Sequence, residues 1–474
     1  MRHRVASAAA ALLLLVSAGS LCAAGPADPR LATAWRYEKN GWIHLRIEGP
    51  ARQLGFQHGF LLAREIAESL SDSRATWAYE TGTEWPWLVS RVATFMTPKV
   101  DGESLAELDG LVEGLAAAGV KTSRDEMVAY NALIELSEYW WPLEKKKLGG
   151  PPVRPKKQSC SAFIATGRMT VDGGIVLGHN TMFSYAQATA RVVLDIAPAK
   201  GHRILMQAEP GWIHSGTDFF LTDAGLVGAE TTIGDFDGFD ESGIPEFVRM
   251  RRATQAADSI DEWVAVMKAG NNGGYANAWL VGDVKTNEIA RLELGLKVIA
   301  LERTRDGAYT GSNVAEDLKL LRFETTRKET DIRLSSVARR VRWRQLMAEN
   351  AGAIDLERAK AFEGDHWDAY LGRVNPSGRS LCGHFELDPQ SFGGPDDPFS
   401  PEGTFDAKVV DSAMAKRMSF AGKWGSGCDI PFDVERFLAE HPQFAHLKGR
   451  LKSRPARPWT TFRSGMRPSA PEAR

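Results

Sequence analysis

Cysteine is scarce: the 474 residues hold four, at positions 22, 160, 382 and 428. That is too few for the disulfide scaffold of a small secreted domain. An excess of one charge is also lacking, with 58 Lys and Arg against 60 Asp and Glu and a formal net charge of −2. Such a balance gives no electrostatic case for nucleic acid or an anionic membrane as partner. Beyond the first residues no segment approaches the roughly 20 apolar residues of a membrane span, so no stable membrane anchor is expected. Internal repeats are missing at solenoid-like periods. The chain has no Gly-x-Ser-x-Gly elbow, which argues against an α/β-hydrolase serine enzyme. It has no His-Glu-x-x-His and no paired Cys-x-x-Cys, so neither a metal nor any other cofactor is expected. Two segments imitate ligand loops. Asp235–Glu241 lacks the glycine and glutamate spacing of an EF-hand and reads as a solvated acidic turn. Gly270–Tyr275 lacks the Lys-Ser/Thr of a phosphate loop and reads as a turn into a strand.

What is present begins with an export signal. Arg2, His3 and Arg4 precede the apolar run Val5–Val16, and Cys22 and Ala24 stand at the −3 and −1 positions of a cleavage site. Residues 1–24 are thus expected to be a signal peptide. The mature protein should be periplasmic or extracellular, or sit in a lysosomal-type lumen in a eukaryote. Its removal leaves three cysteines, an odd number for an exported chain. Cys382 and Cys428 share the Gly-rich C-terminal region and are expected to pair as a disulfide. Cys160 is left over as a free thiol.

Composition then divides the chain. Residues 25–142 read as helices: Arg52–Ile66, Leu105–Ala118 and Asp125–Tyr139 have helical apolar spacing. Gly55 and Gly59, four apart, permit close helix packing. Residues 143–159, with three prolines, two glycines and a lysine cluster, read as a solvated linker. From Cys160 the period becomes two, and short β-type runs recur to Leu294, broken by one helical stretch over Glu246–Met267. Helices resume at Leu334–Asn350, and residues 448–474 form a basic, loosely ordered tail after a 160–447 core. Meandering strands flanked by helices indicate an α+β class.

The junction Lys157-Gln-Ser159-Cys160-Ser-Ala-Phe-Ile-Ala-Thr166 carries the chemistry. A flexible loop ends in Ser-Cys, and a strand begins at the cysteine. That suits a nucleophile made by backbone cleavage between Ser159 and Cys160: the thiol attacks the preceding carbonyl, and water releases the upstream segment from the thioester. The new α-amine, with a pKa near about 8, is a suitable base for a thiol near about 8.5. From these residues alone, a buried strand cysteine after a solvated linker remains the alternative.

From Cys160 onward the motifs Cys-Ser-Ala-Phe-Ile, Gly178-His-Asn-Thr181, Glu230-Thr-Thr-Ile-Gly234, Gly273-Gly-Tyr-Ala-Asn277 and Phe405-Asp-Ala-Lys-Val-Val410 follow in an order that resembles the phospholipase B-like family. The upstream pieces Leu54-Gly-Phe-Gln-His-Gly59 and Glu107–Gly114 look like the related penicillin acyltransferase-type branch. The resemblance implies an αββα N-terminal-nucleophile hydrolase sandwich, with two stacked antiparallel sheets flanked by helices. It implies Cys160 as nucleophile, His179 as an orienting group emerging at a strand end, and Asn277 as oxyanion donor. Asn180, Thr231 and Thr232 become supporting residues, one threonine hydroxyl facing the site and the other packing outward. The function implied is hydrolysis of a small amide or lipid-like acyl ester. Acyl transfer to an amine, or a non-catalytic binding protein on the same scaffold, are the alternatives. One departure stands out: where the family's motif reads His-Asn-Thr-Trp, this chain has Met182.

Overall fold

Two sheets take up the period-two runs. The computed structural model describes residues 28–151, 160–187, 191–216, 219–326, 329–390 and 398–467. The signal peptide, residues 152–159 of the linker including Ser159, and the last residues of the tail lie outside them. The strands are β1 (Trp35–Lys39), β2 (Trp42–Gly49), β3 (Ser161–Thr166), β4 (Val176–Ser184), β5 (Arg191–Pro198), β6 (Ile204–Ala208), β7 (Phe220–Thr222), β8 (Leu226–Thr232) and β9 (Asn277–Asp283). They continue as β10 (Glu288–Leu294), β11 (Ile299–Thr304), β12 (Gly307–Gly311), the short pair β13 (Trp367–Asp368) and β14 (Arg373–Val374), β15 (Glu402–Asp411), β16 (Ser419–Trp424) and β17 (Thr460–Arg463). One nine-stranded sheet runs β1-β2-β5-β6-β7-β8-β9-β10-β11, and a six-stranded sheet runs β12-β3-β4-β15-β16-β17.

The sheets stack face to face. Ala162 and Ile164 of β3 share a buried apolar cluster with Val227 and Ala229 of β8 and Leu280 of β9. A Cβ on Gly282 of β9 would lie 3.0 Å from Ile164 and Ile175 of the opposite layer. Helices cover both outer faces. Phe163, on the far side of β3, packs on Trp343 and Phe362 of the Ser335–Glu349 and Leu356–Glu363 helices. The Glu246–Ala256 and Ile260–Lys268 helices cover the nine-stranded sheet, where Trp263 stacks on Phe220 and packs edge-on against Trp279. The architecture is α+β, an αββα sandwich.

Four expectations need correction. The N-terminal segment is not wholly helical, because Ile43, Leu45 and Ile47 alternate with His44, Arg46 and Glu48, a two-residue period. That run forms β2, which pairs in parallel with β5 from Trp42↔Arg191 to Gly49↔Pro198. The stretch from 143 does not begin as a loop, because the Trp141–Lys147 helix runs through it, with Lys145, Lys146 and Lys147 in its last turn, where they complement the helix dipole. The Glu246–Met267 stretch is two helices, since Ser259 caps a second one by accepting from Glu262 N. The tail is not loose throughout, because β17 pairs with β16.

The expected glycine contact is present and reciprocal. A Cβ on Gly55 or Gly59 would come within 1.8 Å of Glu107 O or 2.2 Å of Leu111 O, and one on Gly110 or Gly114 within 1.9 Å of Arg52 O or 2.2 Å of Phe56 O. Each helical glycine costs about 1 kcal/mol relative to alanine, so the backbone contact between the Ala51–Leu61 and Gly102–Ala117 helices must outweigh that. Gly55→Ala should therefore destabilise by about 1–3 kcal/mol through overpacking. Gly102→Ala, with nothing within 4 Å of the added carbon, serves as the control. Denaturant unfolding that shows Gly55→Ala as stable as the control would remove the contact from the account.

His58, on the first of these helices, accepts the Gly211 N–H at Nε2 over 3.0 Å. Burial, aided by Arg251, pushes its pKa down to about 3. The folded value lies below the unfolded one near 6.5, so the contribution is complete above the unfolded pKa and is lost as pH falls from about 6.5 toward 3. At pH 5 this one ring should cost about 2 kcal/mol relative to pH 7. His58→Gln should remove that share of the acid sensitivity, measured by unfolding at both pH values.

Candidate active site

Cys160 stands one residue before β3, almost wholly buried. Side chains from two distant segments grip its backbone. Its N–H donates to Asn313 Oδ1 over 3.1 Å, and its carbonyl accepts from Arg339 Nη1 at 2.5 Å. Arg339 also donates to Ser161 Oγ at 3.0 Å and to Asn313 Oδ1 at 2.8 Å. Asn313 Nδ2 in turn donates to Thr232 O over 2.8 Å, which ties the clamp to the end of β8. Asn313 has φ +67, a left-handed conformation that asparagine tolerates better than most residues. Arg339 is fully buried, and charge-assisted bonds of this kind are what make a buried guanidinium tolerable.

The thiol does not sit alone. Cys160 Sγ, a ring nitrogen of His179 and a carboxylate oxygen of Glu230 lie within 4.8 Å of one another. His179 is not at a strand end as expected but in the middle of β4, paired with Ala162 of β3 and Lys408 of β15. The reason is that β4 continues through Asn180-Thr-Met-Phe-Ser184, paired with β15 along its whole length and with β3 as far as Asn180. Neither ring nitrogen has a hydrogen-bond partner among the described residues. Burial, and then the Lys408 charge, hold its pKa well below the usual range, so the ring is neutral near pH 7. Glu230 Oε1 accepts from Tyr275 Oη at 3.1 Å. Lys408 Nζ donates to Asp406 Oδ1 and Thr181 Oγ1, both at 2.5 Å, and to Gln207 Oε1 at 2.6 Å. Burial lowers its pKa, opposed by Asp406 and by Cys160 itself.

The other expected residues divide. Asn277 opens β9 opposite Thr232, while Thr231 pairs with Ala278. Both amide atoms of Asn277 are buried without a hydrogen-bond partner among the described residues, as an amide reserved for a ligand would be. Thr231 and Thr232 point to opposite faces by strand alternation, and neither hydroxyl has a partner there. Thr231 lies against Gly311, where an added Cβ would meet its Oγ1 at 2.4 Å. Asn180 is corrected. As the neighbour of His179 on a strand it faces away, and its Nδ2 donates to Glu363 O at 2.8 Å and Leu381 O at 3.0 Å. It fastens β4 to the outer layer.

A cavity of about 450 Å³ adjoins this end of β4. Thr181 reaches it, and Tyr130, Trp141, Met182, Phe183, Trp212 and Phe405 give it an apolar wall. Met182, the residue that departs from the family motif, is thus a wall residue. Arg191 and Glu209 also line it, as an ion pair. The wall is apolar on the side of the aromatic residues and polar where Asp72, Glu138, Gln187 and Glu402 also line it, so the space suits an amphipathic group.

The expected disulfide is not formed: Cys382 and Cys428 are both unbridged. The His384 ring fits against both sulfurs, its Nε2 3.6 Å from Cys382 Sγ and 3.3 Å from Cys428 Sγ.

Sequence reasoning did not single out Glu230, Asn313, Arg339 or Lys408. Glu230 and Lys408 had a signal, a charged residue inside an apolar β-type run. Asn313 and Arg339 had none, because a loop asparagine and a helical arginine are ordinary.

With the geometry in hand, three comparisons place the chain. The family model described as Phospholipase B matches residues 100–316. A protein of Archaeoglobus fulgidus is 23% identical over 258 residues, covering 52% of this chain and 42% of that one. Phospholipase B-like 1 of Homo sapiens is 27% identical over 203 residues, covering 39% and 36%. Phospholipase-B 81 of Drysdalia coronoides is 30% identical over 144 residues, covering 28% and 25%. The match thus spans less than half the length of these curated relatives. Among solved structures, a mutant conjugated bile acid hydrolase from Clostridium perfringens aligns with TM-score 0.32 and 9% identity, over 64% of this chain and 97% of that one. The matched segment contains Cys160, His179, Glu230, Asn277 and Asn313, and over it the chain is similar to the phospholipase B-like family.

Proposed function

We propose that this chain is an exported hydrolase that cuts itself between Ser159 and Cys160 and then uses the Cys160 thiol on an amide or acyl-ester bond. The observation that carries the reading is the grip on Cys160: Asn313 and Arg339 fix its amide and carbonyl while its sulfur meets His179 and Glu230. Such a clamp positions a nucleophile within its own site.

In the working cycle the α-amine takes the thiol proton, and Sγ bonds to the substrate carbonyl carbon. The carbonyl oxygen becomes an oxyanion, which the Asn277 amide, otherwise without a partner, stabilises. Collapse expels the amine or alcohol, which receives the proton from the α-ammonium, and leaves a thioester on Cys160. Water, deprotonated by the same amine, releases the acid and restores the thiol. Neutral His179 orients the substrate rather than acting as an acid. The apolar side of the cavity beyond Thr181 takes the acyl group. The family name favours lipid-like acyl esters, and the greasy wall supports that class as well as acyl amides.

The test pairs N-terminal sequencing of the purified protein with release of free fatty acid from phospholipid and from N-acyl amide substrates. One sharp start at Cys160 and thiol-sensitive release from either class support the reading. An intact chain that nevertheless hydrolyses both would overturn it.

A further inference from the structure

The loop and strand ends behind β4 bring together His366, Cys382, His384 and Cys428, one potential ligand atom from each within 4.8 Å of the others. No short motif announces them, because 16, 2 and 44 residues separate them along the chain. We propose that these four side chains form a structural zinc site.

The donor set is two thiols and two imidazoles, which suits a closed tetrahedral zinc. Zinc bonds of about 2.3 Å to sulfur and about 2.0–2.1 Å to nitrogen place an S and an N about 3.5 Å apart across a tetrahedral edge. His384 Nε2 stands 3.6 Å from Cys382 Sγ and 3.3 Å from Cys428 Sγ. Its other nitrogen, Nδ1, lies 2.8 Å from Glu386 Oε1. That carboxylate–histidine arrangement turns the Nε2 lone pair toward the sulfurs, as outer-shell carboxylates do for metal-bound histidines. His366 Nε2 is shielded from solvent and without a hydrogen-bond partner among the described residues. The Ile430 N–H donates to Cys428 Sγ over 3.4 Å, a contact that favours a thiolate. A disulfide between the two cysteines would satisfy neither imidazole, whereas zinc satisfies all four groups.

The position explains what the ion would do. Cys382 N donates to Asp365 O at 3.0 Å, His384 N to Ser377 O at 3.0 Å, and Thr404 N to Gly383 O at 2.8 Å. The first two tie the 365–388 loop to itself, and the third joins it to β15. Leu381 O, next to the first sulfur, accepts from Asn180 of β4. Zinc therefore braces the back of the strand that carries His179, with no coordination position left for substrate.

The experiment measures zinc in the full-length protein, purified without chelators, by inductively coupled plasma mass spectrometry. Peptide mapping of Cys382 and Cys428 runs in parallel. The expected result is one zinc per chain with both thiols reduced. Chelation should lower the melting temperature of this protein, while a Cys382→Ser, Cys428→Ser double variant holds no zinc and is indifferent to chelator. Should that variant not fold, Glu386→Gln provides the second reading, with zinc affinity about 10–100-fold weaker. Cobalt substitution should give the intense visible absorption of a tetrahedral thiolate site. A Cys382–Cys428 disulfide in the purified protein, or reduced thiols that take up no added zinc, overturns the proposal.

Discussion

Cys160→Ala is expected to give a single uncut chain with no measurable turnover, where the parent protein is expected to give two tightly associated fragments. Those fragments run from about residue 25 to 159 and from 160 to 474. Alanine has no atom to attack the Ser159 carbonyl, and loss of a covalent nucleophile costs on the order of 10⁶-fold in rate. Cys160→Ser should still cut, slowly, because a hydroxyl makes the analogous acyl shift but is the poorer nucleophile near neutral pH. The fragments should stay together because the parallel pairing of β2 with β5 crosses the cut. So do the His58 contact with Gly211 and the bond from Asn131 Nδ2 to Gly211 O at 3.1 Å. Intact mass under native and denaturing conditions reads both outcomes. An exposed loop can also be nicked by a stray protease. Ragged ends among Lys145 to Lys157, or a Cys160→Ala protein still cut at residue 160, would remove self-cleavage from the account.

Asn277→Ala is expected to lower turnover by about 100–1000-fold while the fold holds, the scale of losing one oxyanion donor. The amide has no hydrogen-bond partner among the described residues, so its removal breaks no protein contact, and a cavity is the main structural cost. The clamp from Cys160 through Asn313 to Thr232 places the nucleophile's backbone one strand from Asn277. Self-cleavage and melting temperature should change little compared with turnover. Full activity in the folded variant would exclude Asn277 from the chemistry, and activity lost only together with folding would make its role structural.

Much of the framework was legible because local pattern and tertiary role agree. The short β-type runs Arg191–Ile196, Ile204–Ala208 and Leu226–Thr232, set off by turn residues, report strands, and the structure has strands there, buried on both faces. The glycine spacing at 55 and 59 reports a close helix contact, because only a residue without a Cβ allows a carbonyl that near. Cys160 was legible for a different reason, the abrupt passage from a Pro- and Lys-rich loop to an apolar strand. The N-terminal strands were missed because the Ala51–Leu61 helix follows them directly and its pattern dominates the segment, and the Trp141–Lys147 helix because prolines and glycines follow it closely.

By itself, then, the sequence determined the class of fold, the strand that begins after Cys160 and the residues with reactive side chains. Which of those residues meet was decided by tertiary structure alone. Strand alternation sends Asn180 to the outer layer and leaves His179 beside the thiol, a distinction set by which face of β4 is covered. Arg339 reaches Cys160 across 179 residues, and His384 brings one imidazole nitrogen against two cysteine sulfurs from separate segments. Such contacts leave no periodic trace along the chain, because they depend on how separate segments pack and not on the spacing within any one of them.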